Sequence, residues 1–111
     1  MEAVNRDSAY YVNVHYGPTP GSSLSSGPTE VPASLGGAFH VFALEWDGGG
    51  QLRWYLDEVQ VASRTVPGYF EAPMYLLINT AIGGDWAGAP DAETRFPQRF
   101  EVDFVRIYKR A

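Results

Sequence analysis

Apolar and polar residues alternate with a period of two in several parts of the chain, and no stretch shows the period of an amphipathic helix. The first alternating segment runs from about Ser8 to Tyr16. We predict a strand there whose apolar face carries Tyr10, Val12, Val14 and Tyr16, and whose polar and aromatic face carries Tyr11, Asn13 and His15. The pattern predicts an all-β protein.

A three-stranded meander is predicted in the middle of the chain. Phe39 to Trp46 has the composition of a strand, and the glycine-rich residues 47–50 turn the chain into a partner strand from Gln51 to Leu56. A tighter turn at residues 57 and 58 leads into a third strand from Val59 to Thr65. Core positions are predicted for the tryptophans of this meander, Trp46 and Trp54.

Two further strands are predicted, from Met74 to Ile78 and from Phe100 to Lys109. The first is apolar on both faces until Asn79, and a loop with two adjacent glycines follows it and presents Trp86. An asparagine and an indole displayed in this way suit the binding of a sugar. The alternative, in which Asn79 caps the strand and Trp86 folds back onto the core, stays open on these residues alone.

Six such strands with apolar faces belong in a sandwich of two antiparallel sheets. Residues 17–37 are rich in Gly, Pro and Ser, and we predict that they form a long loop. This loop would be either the rim of a binding cleft or a tolerated insertion. No internal repeat or linker divides the chain, so residues 1–111 form part of a single domain in this prediction.

Composition narrows the classes of function. A hydrophobic content of 45% and an aromatic content of 14% exclude a disordered chain. A formal net charge of −5 argues against a nucleic-acid or anionic-membrane partner, because no basic stripe exists to neutralise phosphates. Cysteine is absent, which excludes a disulfide scaffold, and no apolar run has the length of a membrane span.

Four segments in one order and spacing carry a family resemblance: Phe39–Trp46, Leu52–Asp57, Pro73–Asp91 and Val102–Tyr108. They resemble glycoside hydrolase family 16, and within it the bacterial laminarinases, which are endo-β-1,3-glucanases. The resemblance covers nearly the whole chain. It implies a concanavalin-like β-jelly roll, of which residues 1–111 would be the C-terminal half, and an extracellular, secreted parent protein.

The catalytic strand of that family resembles Glu-x-Asp-x-x-Glu and usually ends in Ile-Met-Glu, and Met1-Glu2 matches its last two residues. The resemblance implies that Glu2 is the general acid/base and that the nucleophile and its helper aspartate would precede residue 1. Retaining hydrolysis needs two carboxyls about 5–5.5 Å apart, so we expect this chain alone to be inactive. The alternative, in which Met1 is a start residue and Glu2 a solvated end residue, stays open.

The resemblance also implies sugar contacts. Asn13 and His15 match an Asn-x-His that lines the cleft of many relatives, and Tyr11 stands where laminarinases often have another histidine. In the glycine loop, Trp86 matches the tryptophan of a Gly-Gly-Asn-Trp motif, with aspartate in place of the asparagine. Substrate-binding roles are therefore implied for Asn13, His15, Asn79 and Trp86.

Asp103 matches an aspartate that helps to hold a structural calcium in many relatives. Calcium takes six to eight oxygen ligands, and this chain offers too few at one place. A strand-edge aspartate that is hydrogen-bonded to a loop is the alternative role, and no cofactor is required by the implied chemistry.

Three functions remain open from the sequence. The first is part of a retaining endo-β-glucanase that hydrolyses β-1,3-glucan or mixed-linkage β-glucan by double displacement. The second is a non-catalytic β-glucan-binding module of the same fold. The third is a piece without a function of its own, which would self-associate through uncovered sheet edges. The residues alone do not separate glucan linkages or galactan as the preferred substrate.

Overall fold

The computed structural model describes residues 1–4, 8–16, 23–31, 34–66 and 73–109, and for residues 23–27 it describes the backbone alone. Within these ranges the chain forms two antiparallel sheets and no helix, so no helix in the described part could cross a membrane. The strands are β1 (Ala9–His15), β2 (Ser23–Glu30), β3 (Phe42–Trp46), β4 (Gln51–Leu56) and β5 (Val59–Thr65). The predicted all-β class is confirmed, and two antiparallel sheets agree with part of a jelly-roll sandwich.

All five strands lie in a first compact unit, Met1–Leu76. In its first sheet β1 pairs with β2, and the register is irregular between Tyr11 and Asn13. In its second sheet the order is β3-β4-β5. Leu77–Ala111 forms a second unit.

The alternation in β1 decides which of its side chains are buried. Tyr10 and Val12 are each 1% exposed and Val14 is also buried, as the predicted apolar face requires. These residues pack in one core with side chains of β4 and of the flanking segments: Val31, Leu52, Trp54, Leu56 and Val66. The Tyr10 ring meets the Phe42 ring edge to face, with centroids 5.5 Å apart. The two sheets are therefore held together by a shared apolar core.

The turns of the second sheet follow directly from their residues. Asp47 Oδ1 accepts hydrogen bonds from the backbone N–H groups of Gly49 at 2.8 Å and Gln51 at 3.1 Å, which closes the β3–β4 turn. In the β4–β5 turn Asp57 and Glu58 have φ values of +46° and +69°. Two consecutive left-handed residues suit a two-residue hairpin, because the twist of that turn matches the twist of the strands.

The prediction of a loop over residues 17–37 is wrong in part, because β2 lies within that range. Residues 17–22, 32 and 33 lie outside the described residues. The sequence of β2 is SLSSGPTE, which has no alternation of apolar residues. Its pairing with β1 rests on backbone hydrogen bonds, which need no side-chain pattern, and Pro28 is tolerated because an edge strand leaves one side of its backbone without a partner strand.

Of the two tryptophans predicted as core residues, Trp54 is buried and 3% exposed. Trp46 is 39% exposed, so the core prediction for it is wrong. Both residues lie in the same sheet, but Trp46 belongs to β3, which is an edge strand, and Trp54 belongs to the central strand β4. A central strand has neighbours on both sides that shield its side chains, and an edge strand does not.

The strands predicted at Met74–Ile78 and Phe100–Lys109 are not formed in the structure. Residues 73–109 contain no strand, and most of their side chains are exposed. Alternating apolar residues show that a segment has a face to bury, but a strand also needs a neighbour that completes its backbone hydrogen bonds. No described residue supplies that neighbour to these two segments.

Candidate functional site

The site forms on the polar face of β1, where Glu2 pairs with Tyr11 in an isolated antiparallel bridge. The Glu2 N–H donates to the Tyr11 carbonyl at 2.9 Å, and the Tyr11 N–H donates to the Glu2 carbonyl at 2.7 Å. Two residues that exchange both backbone hydrogen bonds stand directly opposite each other, and their side chains emerge on the same face of the sheet. The backbone thus places the Glu2 carboxyl beside the Tyr11 ring.

Asn13 lies two residues after Tyr11 and so shares its face. The Asn13 Nδ2 donates a hydrogen bond to Glu2 Oε2 at 2.5 Å, although eleven positions separate the two residues in the sequence. His15 follows on the same row at the end of β1, where it is exposed. The structure therefore brings Glu2 and Asn13 into contact and aligns His15 with them.

The carboxyl of Glu2 is solvent-accessible, and within the described ranges its side-chain partner is the Asn13 amide. Asn13 Oδ1, by contrast, is buried and has no hydrogen-bond partner within the same ranges. An exposed carboxyl beside an aromatic ring and an amide suits the binding of a polyol and the exchange of a proton with it.

Trp86 lies in the second unit, at the tip of a turn closed by a hydrogen bond from the Gly88 N–H to the Gly84 carbonyl at 2.8 Å. Gly84 and Gly88 have φ values of +99° and +81°, which side chains with a Cβ rarely adopt. The Trp86 side chain is 55% exposed, so it is displayed rather than folded onto a core. Asn79 is also exposed. A position for either residue beside Glu2 stays a prediction.

Asp103 is exposed and lies in the second unit. No group of three or more acidic, histidine or cysteine side chains that could hold a metal ion occurs among the described residues. The residues present therefore do not fit the calcium that the family resemblance implies, and we derive no role for a metal.

A second polar constellation, which the sequence did not reveal, joins His40 to Asp57. His40 Nδ1 lies 2.7 Å from Asp57 Oδ2, and His40 Nε2 lies 3.1 Å from the carbonyl oxygen of Ser34. Asp57 Oδ1 accepts a hydrogen bond from the Val41 N–H at 2.9 Å. We call these contacts the His40–Asp57 clasp. It ties the segment before β3 to the β4–β5 turn.

Both ring nitrogens of His40 face oxygen acceptors, so both bonds form only when the ring carries two protons. The hydrogen bond from the Asp57 carboxylate, followed by the bond to the Ser34 carbonyl, raises the pKa of His40 above its ordinary value. The same bond to His40, followed by the Val41 N–H, lowers the pKa of Asp57. The only sequence signal for this pair is the register of β3 on β4, which sets Phe42 opposite Leu56 and so brings residue 41 to residue 57.

The clasp predicts a pH window of stability. A raised His40 pKa stabilises the fold below the unfolded-state pKa of about 6.5, and this contribution is lost as pH rises through the folded-state pKa. A lowered Asp57 pKa stabilises the fold above about pH 4, and this contribution is lost as pH falls through the folded-state pKa. We expect Asp57→Asn to destabilise the protein most between about pH 4 and 6.5, measured by urea unfolding at several pH values.

Asn at position 57 tolerates the left-handed backbone, so this variant removes the charge and preserves the turn. His15→Gln is the matched control, because His15 is the other histidine of the chain and is exposed. A loss of stability in Asp57→Asn that is equal at about pH 5.5 and about pH 9 would contradict an ionic clasp.

Comparison with known proteins reveals several relatives. A β-glucanase of Rhodothermus marinus is 32% identical over a match that covers 64% of this chain and 29% of the relative. A keratan-sulfate endo-1,4-β-galactosidase of Sphingobacterium multivorum is 28% identical, with 98% of this chain and 27% of the relative covered. The clotting factor G α subunit of Tachypleus tridentatus is 28% identical, with 66% and 12% covered.

Several further matches are endo-β-glycanases, and the glucanase-type matches share 28–34% identity with parts of the chain. The chain is a relative of the family 16 β-glucanases. The matched part of the chain spans between 12% and 29% of the length of these relatives. No family model matches the chain, and no solved structure matches it significantly.

The relationship to family 16 glucanases supports the resemblance stated from the four sequence segments. The galactosidase match extends over nearly the whole chain, and so over both units of the structure. The names of the relatives carry glycoside hydrolysis at the level of the family.

Proposed function

We propose that the chain contributes one catalytic carboxyl and a sugar-binding surface to a retaining endo-β-glucanase that acts on β-1,3-glucan or mixed-linkage β-glucan. The observation that carries this proposal is the position of Glu2, whose exposed carboxyl is held on the polar face of β1 by Asn13 and stands opposite Tyr11. The names of the relatives, which include β-glucanase, support the class of substrate. In this proposal the enzyme works outside the cell.

Glu2 acts as general acid and then as general base. As an acid it donates its proton to the glycosidic oxygen of the leaving sugar, and as a base it later takes a proton from the water that releases the product. The covalent step between them needs a second carboxylate about 5–5.5 Å away as nucleophile. Residues 1–111 do not provide it in this proposal, so the chain binds glucan and does not cleave it.

A non-catalytic β-glucan-binding module is the second candidate. The match to a clotting factor subunit favours it, because that relative is not named as a hydrolase. The displayed Trp86 would serve either function, since an indole face stacks on the apolar face of a pyranose ring without any reaction.

Binding of laminarin, a β-1,3-glucan, tests the surface that both candidates share. We expect Trp86→Ala to weaken laminarin affinity by roughly 10- to 100-fold, because an exposed tryptophan that stacks on a ligand carries a large part of the binding free energy. Calorimetric titration measures this loss. Tyr108→Ala is the matched control, because Tyr108 is an 80% exposed aromatic residue of the same unit and has no proposed contact with sugar.

Unchanged laminarin affinity in Trp86→Ala would remove the platform from the proposal. Parallel titrations with mixed-linkage glucan and with keratan sulfate identify the preferred polysaccharide. Preferential binding of keratan sulfate would shift the substrate class from glucan to galactan, in line with the name of the galactosidase relative.

A further inference from the structure

We infer that Asn13 is a positioning residue for Glu2 and not a primary sugar ligand. The inference rests on the proposed role of Glu2 as the acid/base, and it replaces the substrate contact that the family resemblance implies for Asn13. It follows from where the two polar atoms of the Asn13 amide point.

The nitrogen of the amide is engaged with Glu2. Asn13 Nδ2 lies within hydrogen-bond distance of Glu2 Oε2. An ionised carboxylate only accepts hydrogen bonds, so the NH₂ group of Asn13 must face it. The reversed amide would set two oxygens against each other and is excluded on that ground.

The oxygen of the amide is out of reach of a ligand. Asn13 Oδ1 is buried and has no partner within the described ranges. A buried acceptor without a partner destabilises the folded state by about 1–3 kcal/mol relative to a paired one, so this orientation needs a compensating interaction. The charge-assisted hydrogen bond to Glu2 supplies one. A sugar in the cleft would find at most one remaining Nδ2 hydrogen of Asn13.

The contact controls the direction of a flexible side chain. Glu2 joins β1 through a single bridge, and a glutamate side chain has three rotatable bonds that scatter its carboxyl when nothing holds it. Asn13 holds one carboxylate oxygen, Oε2, and leaves Oε1 for proton exchange. Proton transfer requires a fixed position near the reacting oxygen, and the Asn13 contact provides that fixation.

The experiment separates positioning from sugar binding with Asn13→Ala and Asn13→Asp. The second variant keeps the shape of the side chain but removes the donor when ionised. The first readout is NMR of the full chain: the two Hγ signals of Glu2 are distinct when its side chain is held and merge when it rotates freely. The second readout is the affinity for laminarihexaose by calorimetry.

We expect both variants to merge the Glu2 Hγ signals while laminarihexaose affinity changes by less than about threefold. A loss of affinity of about tenfold or more with distinct Glu2 signals would overturn the inference and make Asn13 a sugar ligand. If the wild-type chain binds no laminarihexaose, the proposed function fails, and the Glu2 signals still decide whether Asn13 holds the carboxyl.

A third variant, Glu2→Ala, keeps the test valid if the Asn13 variants do not fold, because Glu2 is exposed and its side chain is not part of the core. We expect the Asn13 side-chain amide signals to shift when the Glu2 carboxylate is removed. Identical Asn13 amide signals in wild type and Glu2→Ala would show that the contact does not exist in solution and would overturn the inference.

Discussion

Trp54→Ala is expected to lower the free energy of unfolding by about 3–5 kcal/mol, which is a large part of the 5–15 kcal/mol typical of a domain. Trp54 is 3% exposed and lies on the central strand of the second sheet, opposite Leu44 on one side and Ala62 on the other. Its removal takes away apolar contacts and leaves a cavity between the sheets that the neighbouring side chains only partly fill. Urea unfolding followed by far-ultraviolet circular dichroism measures the loss without relying on tryptophan fluorescence.

Trp86→Ala is the matched control for Trp54→Ala, because the residue type is the same and the Trp86 side chain is 55% exposed. A surface substitution of this kind changes stability by about 0.5 kcal/mol or less. Equal stability losses in the two variants would contradict the core described for the first unit. Slower amide exchange at Leu52 and Leu56 in the wild type than in Trp54→Ala would localise the effect to β4.

The second large effect concerns catalysis by Glu2. We expect residues 1–111 alone to leave laminarin intact, and we expect hydrolysis when a segment with Glu-x-Asp precedes them in register. In that extended protein Glu2→Gln is expected to lower kcat by about 10²–10⁴-fold, because general acid/base catalysis contributes that much. Release of reducing sugar from laminarin measures the rates.

The role of Glu2 as an acid is checked by the leaving group of the substrate. A dinitrophenyl laminaribioside leaves as a stable anion and needs no proton, so Glu2→Gln should hardly slow formation of the glycosyl-enzyme on this substrate. An equal loss on laminarin and on the dinitrophenyl glycoside would mean that Glu2 is not the acid. Laminarin turnover by residues 1–111 that disappears in Glu2→Gln would contradict the need for upstream carboxylates.

The elements that the sequence predicts correctly are those whose pattern and neighbours lie close together along the chain. β4 and β5 coincide with the predicted segments, and β1 lies within its predicted range, because alternation there matches real burial and the intervening turns carry the residues their geometry needs. β2 was missed because its backbone pairs with β1 without an apolar face. The segment from Phe100 to Lys109 shows the reverse case, since it has the pattern of a strand and no neighbour in the described part.

The same contrast applies to the candidate site. Alternation along β1 predicted that Asn13 and His15 share a face, and the structure adds the bridge that brings Glu2 to that face. The amide orientation of Asn13 was beyond sequence reasoning, because it depends on which atom is buried. The partnership of His40 with Asp57 was missed for a related reason, since it requires the register between two strands and the direction of a turn.

The left-handed conformation of Asp57 restricts what evolution or a designer could place at that position. The backbone there favours glycine, asparagine and aspartate, and the contacts to His40 and Val41 require two oxygen acceptors on a short side chain. Glycine satisfies the first demand and asparagine only half of the second, so aspartate alone meets both. Glu58, also left-handed, has a free choice among the same three residues as far as its backbone is concerned. Two adjacent turn positions with similar geometry should therefore differ sharply in the range of amino acids they accept.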